Sequence, residues 1–220
     1  MYEWLQTVLD CAEIIGTAAF AASGAMIAID RELDLFGVLF LGITAAVGGG
    51  ITRDLFLGAT PPGAFRNPAY VAVAAATALA VFLFAWLRQA QYRREYGRLD
   101  HIVELLDAIG LGVFGVIGVE AAMSAGHGNN MFLCVFMGMT TGVGGGILRD
   151  VFSRAVPAVL HKRIYAVAVI AGSMAYYGLR MTRLPIVAGM IAGSLITIAI
   201  RLCAAHFHWD LPVVHRDGNL

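Results

Sequence analysis

A short motif that could do chemistry inside a membrane occurs twice in this 220-residue sequence. It reads V-G-G-G-I-x-R-D and occupies residues 47–54 and 143–150. Three consecutive glycines weaken a helix, each by about 1 kcal/mol relative to alanine. Within a membrane, a broken helix is tolerated where its backbone is covered by protein or lines a water-filled cavity. Such a break offers free carbonyls to cations and a positive helix N-terminus to anions.

The doubled motif predicts two helix breaks that face each other at mid-membrane, with a vestibule on either side. The residues assigned to this narrow point are the two glycine triplets and the threonine before each, namely Gly48, Gly49, Gly50 and Thr44, and Gly144, Gly145, Gly146 and Thr140. The alternative is that the glycines only allow tight helix packing. For the threonines, the alternative is a hydroxyl that bonds its own helix backbone.

Six charged residues are expected to line the two vestibules, because charges inside a membrane usually face water or a bundle interior and are paired. They are Arg53 and Asp54, Arg149 and Asp150, and on the preceding helices Glu13 and Asp107. Adjacent helix positions point about 100° apart, so we expect Arg53 to pair with Glu13 and Arg149 with Asp107. Asp54 and Asp150 would then be free to attract cations or bond another helix. Neutral salt bridges that only fix packing remain the alternative.

The elements that must position these residues are membrane helices. Hydrophobic residues make up 59% of the chain, charged residues 14%, and the mean hydropathy is +0.76, whereas soluble domains have roughly 45–50% apolar and about 25% charged residues. A membrane span needs about 20 mostly apolar residues. Seven spans are expected, at 11–29, 35–59, 68–87, 102–125, 131–154, 164–179 and 184–200. The sequence therefore predicts an all-α integral membrane protein with a single domain, residues 1–220.

The chain contains an internal repeat. Residues 36–61 match residues 132–157 at an offset of 96, with 14 of 26 positions identical. The match extends into the preceding helices at an offset of 94, where Glu13 meets Asp107. Each copy holds three helices, an odd number, so the second copy must be inverted in the membrane. Repeat one covers 11–87, repeat two covers 102–180, and a seventh helix at 184–203 lies outside the repeat.

The distribution of basic residues predicts the orientation, because cytoplasmic loops collect arginine and lysine. An N-terminus outside the cell places ten basic residues inside and three outside, Arg53 and Arg149 not being counted. We therefore expect a multi-pass protein of the inner (plasma) membrane with its N-terminus outside and its C-terminus in the cytoplasm. The 15 basic and 15 acidic residues balance, which argues against a nucleic-acid partner.

The doubled GGGIxRD motif, within a chain of twice three helices plus one, resembles the prokaryotic TRIC channels, the trimeric intracellular cation channel family. The resemblance covers about residues 11–203 and includes both glycine triplets. It implies a homotrimer, with one hourglass pore in each protomer around kinked second and fifth helices. It also implies passage of monovalent cations, chiefly potassium. Animal members bind a phosphoinositide through basic residues, but the corresponding segment 104–107 is acidic here, so that lipid role is not expected.

The leading hypothesis is a potassium-permeable cation channel in contact with membrane lipid. The alternative is a secondary transporter of a small zwitterion such as glycine, since bacterial relatives carry that label and inverted repeats serve both functions. A weaker third hypothesis is an anion pathway through the half-helix N-termini and the two motif arginines. The sequence has no clustered metal-ligand set, and we expect neither a cofactor nor enzyme activity.

Overall fold

The computed structural model of the chain describes residues 2–88, 96–161, 164–182, 184–207 and 209, and all regular structure within these residues is helical. The long helices are α1 (Tyr2–Asp30), α2 (Leu35–Phe56), α4 (Ala69–Leu87), α5 (Tyr96–Ala122), α6 (Met131–Phe152), α8 (Tyr165–Arg180) and α9 (Ile186–His206). The single turns α3 (Gly63–Arg66) and α7 (Ala158–His161) follow α2 and α6, and a π-turn, Met123–His127, extends α5. The prediction of an all-α fold is confirmed.

Six of the described helices are long and apolar enough to cross a membrane. They are α1 from Gln6 onwards, α2, α4, α5 from Asp100 with its π-turn, α6 and α9. The remaining long helix, α8, has 16 residues, which is short of the roughly 20 that a full span needs. It occupies the segment predicted at 164–179, so the observed helices fall on all seven predicted segments.

The repeat is visible in how the two motif helices begin and end. Asp34 caps α2 by accepting a hydrogen bond from Gly37 N at 2.8 Å, and Asn130, its counterpart 96 residues later, caps α6 through Leu133 N at 3.0 Å. At the other end, Gly58 and Arg154 occupy matched left-handed positions, with φ of 71° and 57°. The sequence match thus extends to backbone conformation.

Two three-helix units form the molecule. Helices α1, α2 and α4 contact one another, as do α5, α6 and α8, while α9 packs on α5 and α8. Close approach within each unit depends on glycine pairs, because a Cβ on Gly24 would lie 3.0 Å from Gly42 Cα and one on Gly118 would lie 2.8 Å from Gly138 Cα. Between the units, the rings of Phe20 (α1) and Phe114 (α5) stack at 5.6 Å.

The predicted helix breaks are wrong. Helices α2 and α6 remain helical through both glycine triplets. A Cβ on Gly49 would collide with the carbonyl oxygen of Thr141, and one on Gly145 with that of Ala45. The glycines therefore let the two helices cross almost backbone to backbone while each keeps its own hydrogen bonds, which avoids the cost of unsatisfied backbone groups in lipid. The triplets do face each other, as expected.

Two charged cavities as the candidate functional site

The first of two charged cavities, which we call the Arg53 cavity, has a volume of about 380 Å³. Its wall is formed by the N-terminal half of α1, the C-terminal half of α2, α3 and the start of α4. Three carboxylates and two arginines line it, namely Asp10, Glu13, Asp54, Arg53 and Arg66. The charges thus leave one carboxylate in excess.

Arg53 pairs with its own neighbour. Its Nε donates to Asp54 Oδ1 at 2.9 Å, and its Nη2 lies 2.8 Å from the same oxygen. The expected pair with Glu13 is wrong, because no ion pair joins these two residues in the described part of the chain. The arginine side chain is long enough to fold back along the helix and span the angle between adjacent positions. Asp54 is not free either, since its Oδ2 accepts a hydrogen bond from Gly63 N at 2.7 Å.

The mouth of the Arg53 cavity holds a polar group that the sequence did not indicate. Tyr70 donates its hydroxyl to Asp10 Oδ1 at 3.1 Å, and Gln6 Nε2 donates to the same oxygen at 3.1 Å. Glu13 lies one turn further along α1 and is half-buried. These side chains make the mouth both acidic and rich in hydrogen-bonding groups.

The second cavity, which we call the Arg149 cavity, has a volume of about 270 Å³. It is formed by the C-terminal end of α1, the start of α5, the end of α6, α7, the start of α8 and the end of α9. Four carboxylates and three arginines line it, namely Asp30, Glu104, Asp107, Asp150, Arg31, Arg149 and Arg201. One carboxylate is again in excess.

Arg149 is held more firmly than Arg53. Its Nη1 donates to Asp107 Oδ1 at 2.7 Å and to Ser23 Oγ at 2.7 Å, while its Nε donates to Asp150 Oδ1 at 3.0 Å. The structure thus contains the expected pair with Asp107 and adds two partners. Asp150 Oδ2 accepts from Ala158 N at 2.8 Å. Like Asp54, this aspartate joins its arginine to a short helix instead of being free.

The two cavities lie at opposite ends of α1. Asp10 lines one and Asp30 the other, and 20 helical residues span about 30 Å. The start of α1 and the end of α2 form the first cavity, whereas the start of α5 and the end of α6 form the second. The two units are therefore inverted relative to each other, as the odd number of helices per repeat predicted.

The glycines and threonines of the predicted narrow point lie mostly away from the cavities. Only Gly50 lines one, the Arg53 cavity. Neither Thr44 nor Thr140 lines either cavity, and neither hydroxyl has a hydrogen bond within the described residues. The adjacent Thr141 does bond its own helix, donating to Met137 O at 2.6 Å.

Of the residues of the Arg149 cavity that the sequence did not predict, Arg201 and Tyr165 are buried and in contact. Arg201, one of the ten basic residues counted on the cytoplasmic side, lies within α9 and is 3% exposed. Tyr165 is also 3% exposed, and the Arg201 guanidinium carbon lies 5.1 Å from the centre of its ring. A charge that interrupts an apolar run at 184–206 was the available signal for Arg201.

Glu120, which has no counterpart in repeat one, pairs with Arg180 at 2.9 Å and accepts a hydrogen bond from Tyr176.

These features define a class of protein, namely an α-helical, multi-pass membrane protein made of two inverted repeats with a charged cavity at each end. Among the described residues, no cluster of three His, Cys, Asp or Glu side chains could hold a metal ion. The cavities offer ions carboxylates, arginines and hydroxyls.

The comparisons with known proteins assign the family. The family model described as "Glycine transporter" matches residues 10–86 and 104–181. The inner membrane protein YadS of Escherichia coli K12, a UPF0126 protein, is 38% identical over 211 residues, which are 94% of this chain and 96% of YadS. YvgT of Bacillus subtilis, another UPF0126 membrane protein, is 34% identical over 90% of this chain and 93% of its own. The chain belongs to this family of membrane proteins.

The solved structures that are similar to this chain are TRIC channels. One structure of a TRIC cation channel is 36% identical, covers 96% of this chain and 98% of its own, and has a TM-score of 0.82. The TRIC trimeric intracellular cation channel orthologue from Rhodobacter sphaeroides is 33% identical over 92% of this chain and 99% of its own, with a TM-score of 0.81. The resemblance to the TRIC family is confirmed, and these relatives are membrane proteins and channels rather than enzymes.

Proposed function

We propose that this protein is a channel for monovalent cations, potassium among them, with one hourglass pore in each protomer of a homotrimer. The observation that carries the proposal is the pair of cavities at opposite ends of α1, separated by the crossing of α2 and α6. A path through the protomer would run from one cavity past the glycine contact to the other. The helix crossing would be the waist of the hourglass.

The charges of the cavities favour cations. Each cavity has one more carboxylate than arginine, and a cleft with excess charge of one sign concentrates ions of the opposite sign. Arg53 and Arg149 are already occupied by aspartates, so neither offers an anion a free cation. This argues against an anion pathway through the two motif arginines, although Arg201 in the Arg149 cavity forms no ion pair among the described residues. Asp54, Asp150 and Asp107 would serve mainly to neutralise the arginines, whereas Glu13 would remain available to ions.

The glycine triplets would control the waist. Gly49 and Gly145 touch the backbone of the opposite helix, and a Cβ on Gly144 would lie 3.0 Å from Gly49 Cα. Gly48 is also covered by the opposite helix, through Leu148. We infer that these four residues hold the waist shut and that ion passage requires the two helices to separate. Thr44 and Thr140 precede the contact and would face the path only after such a movement.

The relatives support this proposal. Two of the similar solved structures are described as TRIC cation channels, and one of these is described as trimeric. A third is a prokaryotic TRIC channel in 0.5 M KCl, 29% identical with a TM-score of 0.83. We extend to this chain the cation specificity and the trimer. Lipid would cover the remaining outer surface, and the N-terminus would lie outside the cell.

A secondary transporter of glycine is the second candidate, supported by the description of the matching family model. A zwitterion needs a positive and a negative partner together, and each cavity contains both. The two candidates differ in their transport kinetics. A channel passes many ions at each opening, whereas the rate of a transporter saturates as the substrate concentration rises.

Planar-bilayer recording of the purified protein distinguishes them. With a potassium gradient across the bilayer, we expect discrete current steps that reverse near the potassium equilibrium potential. Absence of current, together with saturable glycine uptake into liposomes of the same preparation, would establish the transporter instead. Reversal near the chloride potential would contradict cation selectivity. Cross-linking in native membranes tests the homotrimer separately.

A further inference from the structure

The two cavities differ at the last glycine of each triplet. Gly50 is half-buried, and the nearest atom to a Cβ placed on it is Arg53 Nη2, at 3.9 Å. Its counterpart Gly146 is buried, and the hydroxyl of Tyr165 lies 2.8 Å from the corresponding point. The approach to the helix crossing is thus open from the Arg53 cavity and covered from the Arg149 cavity.

The covering residue is the repeat counterpart of Tyr70. Tyr70 follows the first residue of α3 by seven positions, and Tyr165 follows the first residue of α7 by the same number. Tyr70 bonds Asp10 at the mouth of its cavity. Tyr165 is buried, and its hydroxyl lies close to the Asp107 carboxylate without a well-formed hydrogen bond among the described residues.

Arg201 contacts the ring of Tyr165. Its guanidinium lies over the tyrosine ring at 5.1 Å, within the range of a cation–π contact. Arg201 is 3% exposed, its Nε is without a hydrogen-bond partner, and no carboxylate among the described residues forms an ion pair with it. It belongs to α9, which lies outside the repeat, so the Arg53 cavity has no equivalent.

We propose that Tyr165 is a gate that closes the ion path at Gly146 and that Arg201 positions it. This inference rests on the proposed channel function. In the closed arrangement, the cation–π contact keeps the ring across the path. Displacement of α9, or of the start of α8, removes the ring from Gly146 and joins the Arg149 cavity to the helix crossing. The seventh helix would thereby control a pore built by the other six.

Single-channel recording tests the gate. We expect Arg201→Gln to raise the open probability by about two- to thirtyfold, the range that loss of one cation–π contact allows. Tyr165→Ala should raise it at least as much. Because Arg201 acts through Tyr165, the double variant should not exceed Tyr165→Ala, whereas two independent effects would multiply. Leu195→Ala, a change at an exposed position of α9, should leave the open probability at the wild-type value.

A conservative variant distinguishes an effect on gating from a loss of folding. Arg201→Lys keeps the charge and most of the packing, and it should give an open probability between those of the wild type and Arg201→Gln. Melting temperature and trimer content are measured on every variant. The gate proposal would be wrong if all three variants, Arg201→Lys, Arg201→Gln and Tyr165→Ala, kept the open probability of the wild type. That result would not contradict the proposed channel function. Absence of current from the wild-type protein would remove the channel and the gate together.

Discussion

At the scale of single residues, the two motif arginines occupy equivalent positions in the repeat but differ in burial and in the number of their partners. Arg149 is 3% exposed and bonds Asp107, Asp150 and Ser23. Arg53 is partly exposed and, among the described residues, bonds only Asp54. A buried charge that loses its partner is strongly destabilising, whereas a partly hydrated one is less so. Arg149 should therefore contribute far more to stability.

A double-mutant cycle checks this difference. We expect Arg149→Gln to destabilise the protein by about 3–5 kcal/mol, because it leaves Asp107 buried and unpaired. Adding Asp107→Asn should recover part of the loss, since the second change removes the unpaired charge. Thermal and chemical unfolding in detergent measure both effects.

The matched cycle in repeat one uses Arg53→Gln and Glu13→Gln. These side chains line one cavity and their charges interact, but they form no ion pair, so their coupling should be clearly smaller than that between Arg149 and Asp107. A coupling in this second cycle as large as that in the first would show that Glu13 is a partner of Arg53 after all. Equal losses from Arg149→Gln and Arg53→Gln would contradict the difference in burial.

At the scale of helices, the glycine triplets show where sequence reasoning succeeded and where it failed. Repeat and span signals are local or periodic, and they placed each long helix within a few residues of its observed position, apart from the extended N-termini of α1 and α5 and C-terminus of α9. The state of the triplets depends on residues far away in the sequence, because Gly49 faces Thr141, 92 positions later, and Gly145 faces Ala45, 100 positions earlier. Helix propensity alone predicted a break, and tertiary packing overrode it.

The charged side chains were harder to place than the helices. Sequence matching brought Glu13, Arg53 and Asp54 to one cavity and Asp107, Arg149 and Asp150 to the other, as observed. The partners of Arg53 could not be derived, because they depend on the rotamer of a long side chain. Arg201 was missed because α9 extends to His206, six residues beyond the predicted end of the span.

Alanine substitutions within one triplet test the packing role. Gly49→Ala places a methyl group against the backbone of α6, and overpacking of this kind costs about 1–3 kcal/mol. Gly50→Ala meets only Arg53 at 3.9 Å, and alanine favours helix over glycine by about 1 kcal/mol. We therefore expect Gly49→Ala to lower the melting temperature and Gly50→Ala to keep or raise it.

The same pair of variants separates packing from unwinding. If the backbone at Gly49 had to leave the helix in the resting protein, both substitutions would favour the helical form and would act in the same direction. Opposite changes in melting temperature, measured on protein in one detergent, support the close crossing of α2 and α6. Changes of the same sign contradict it.

At the scale of the whole molecule, inversion gives each face of the membrane a cavity of similar composition but different closure. The Arg53 cavity reaches Gly50, whereas the Arg149 cavity ends at Tyr165. Tyr165 belongs to α8, and Arg201, which packs over its ring, belongs to α9, the helix outside the repeat. A two-fold repeat alone would give a symmetric path, so we attribute the asymmetry to the different position of Tyr165 and to its contact with the added helix.

The orientation of this asymmetric molecule is the last prediction. With Arg201 buried in α9, the basic residues still divide nine to three in favour of an N-terminus outside the cell, which places the Arg149 cavity towards the cytoplasm. In a background without Cys11, Cys134 and Cys203, a cysteine at Asn129 should react with a membrane-impermeant maleimide on intact cells. A cysteine at Gln91, which lies outside the described residues, should react only after the cells are permeabilised. The reverse labelling pattern would show the opposite orientation, with the tyrosine gate towards the outside of the cell. Labelling of both cysteines from one side would contradict a membrane span by α5, which lies between them.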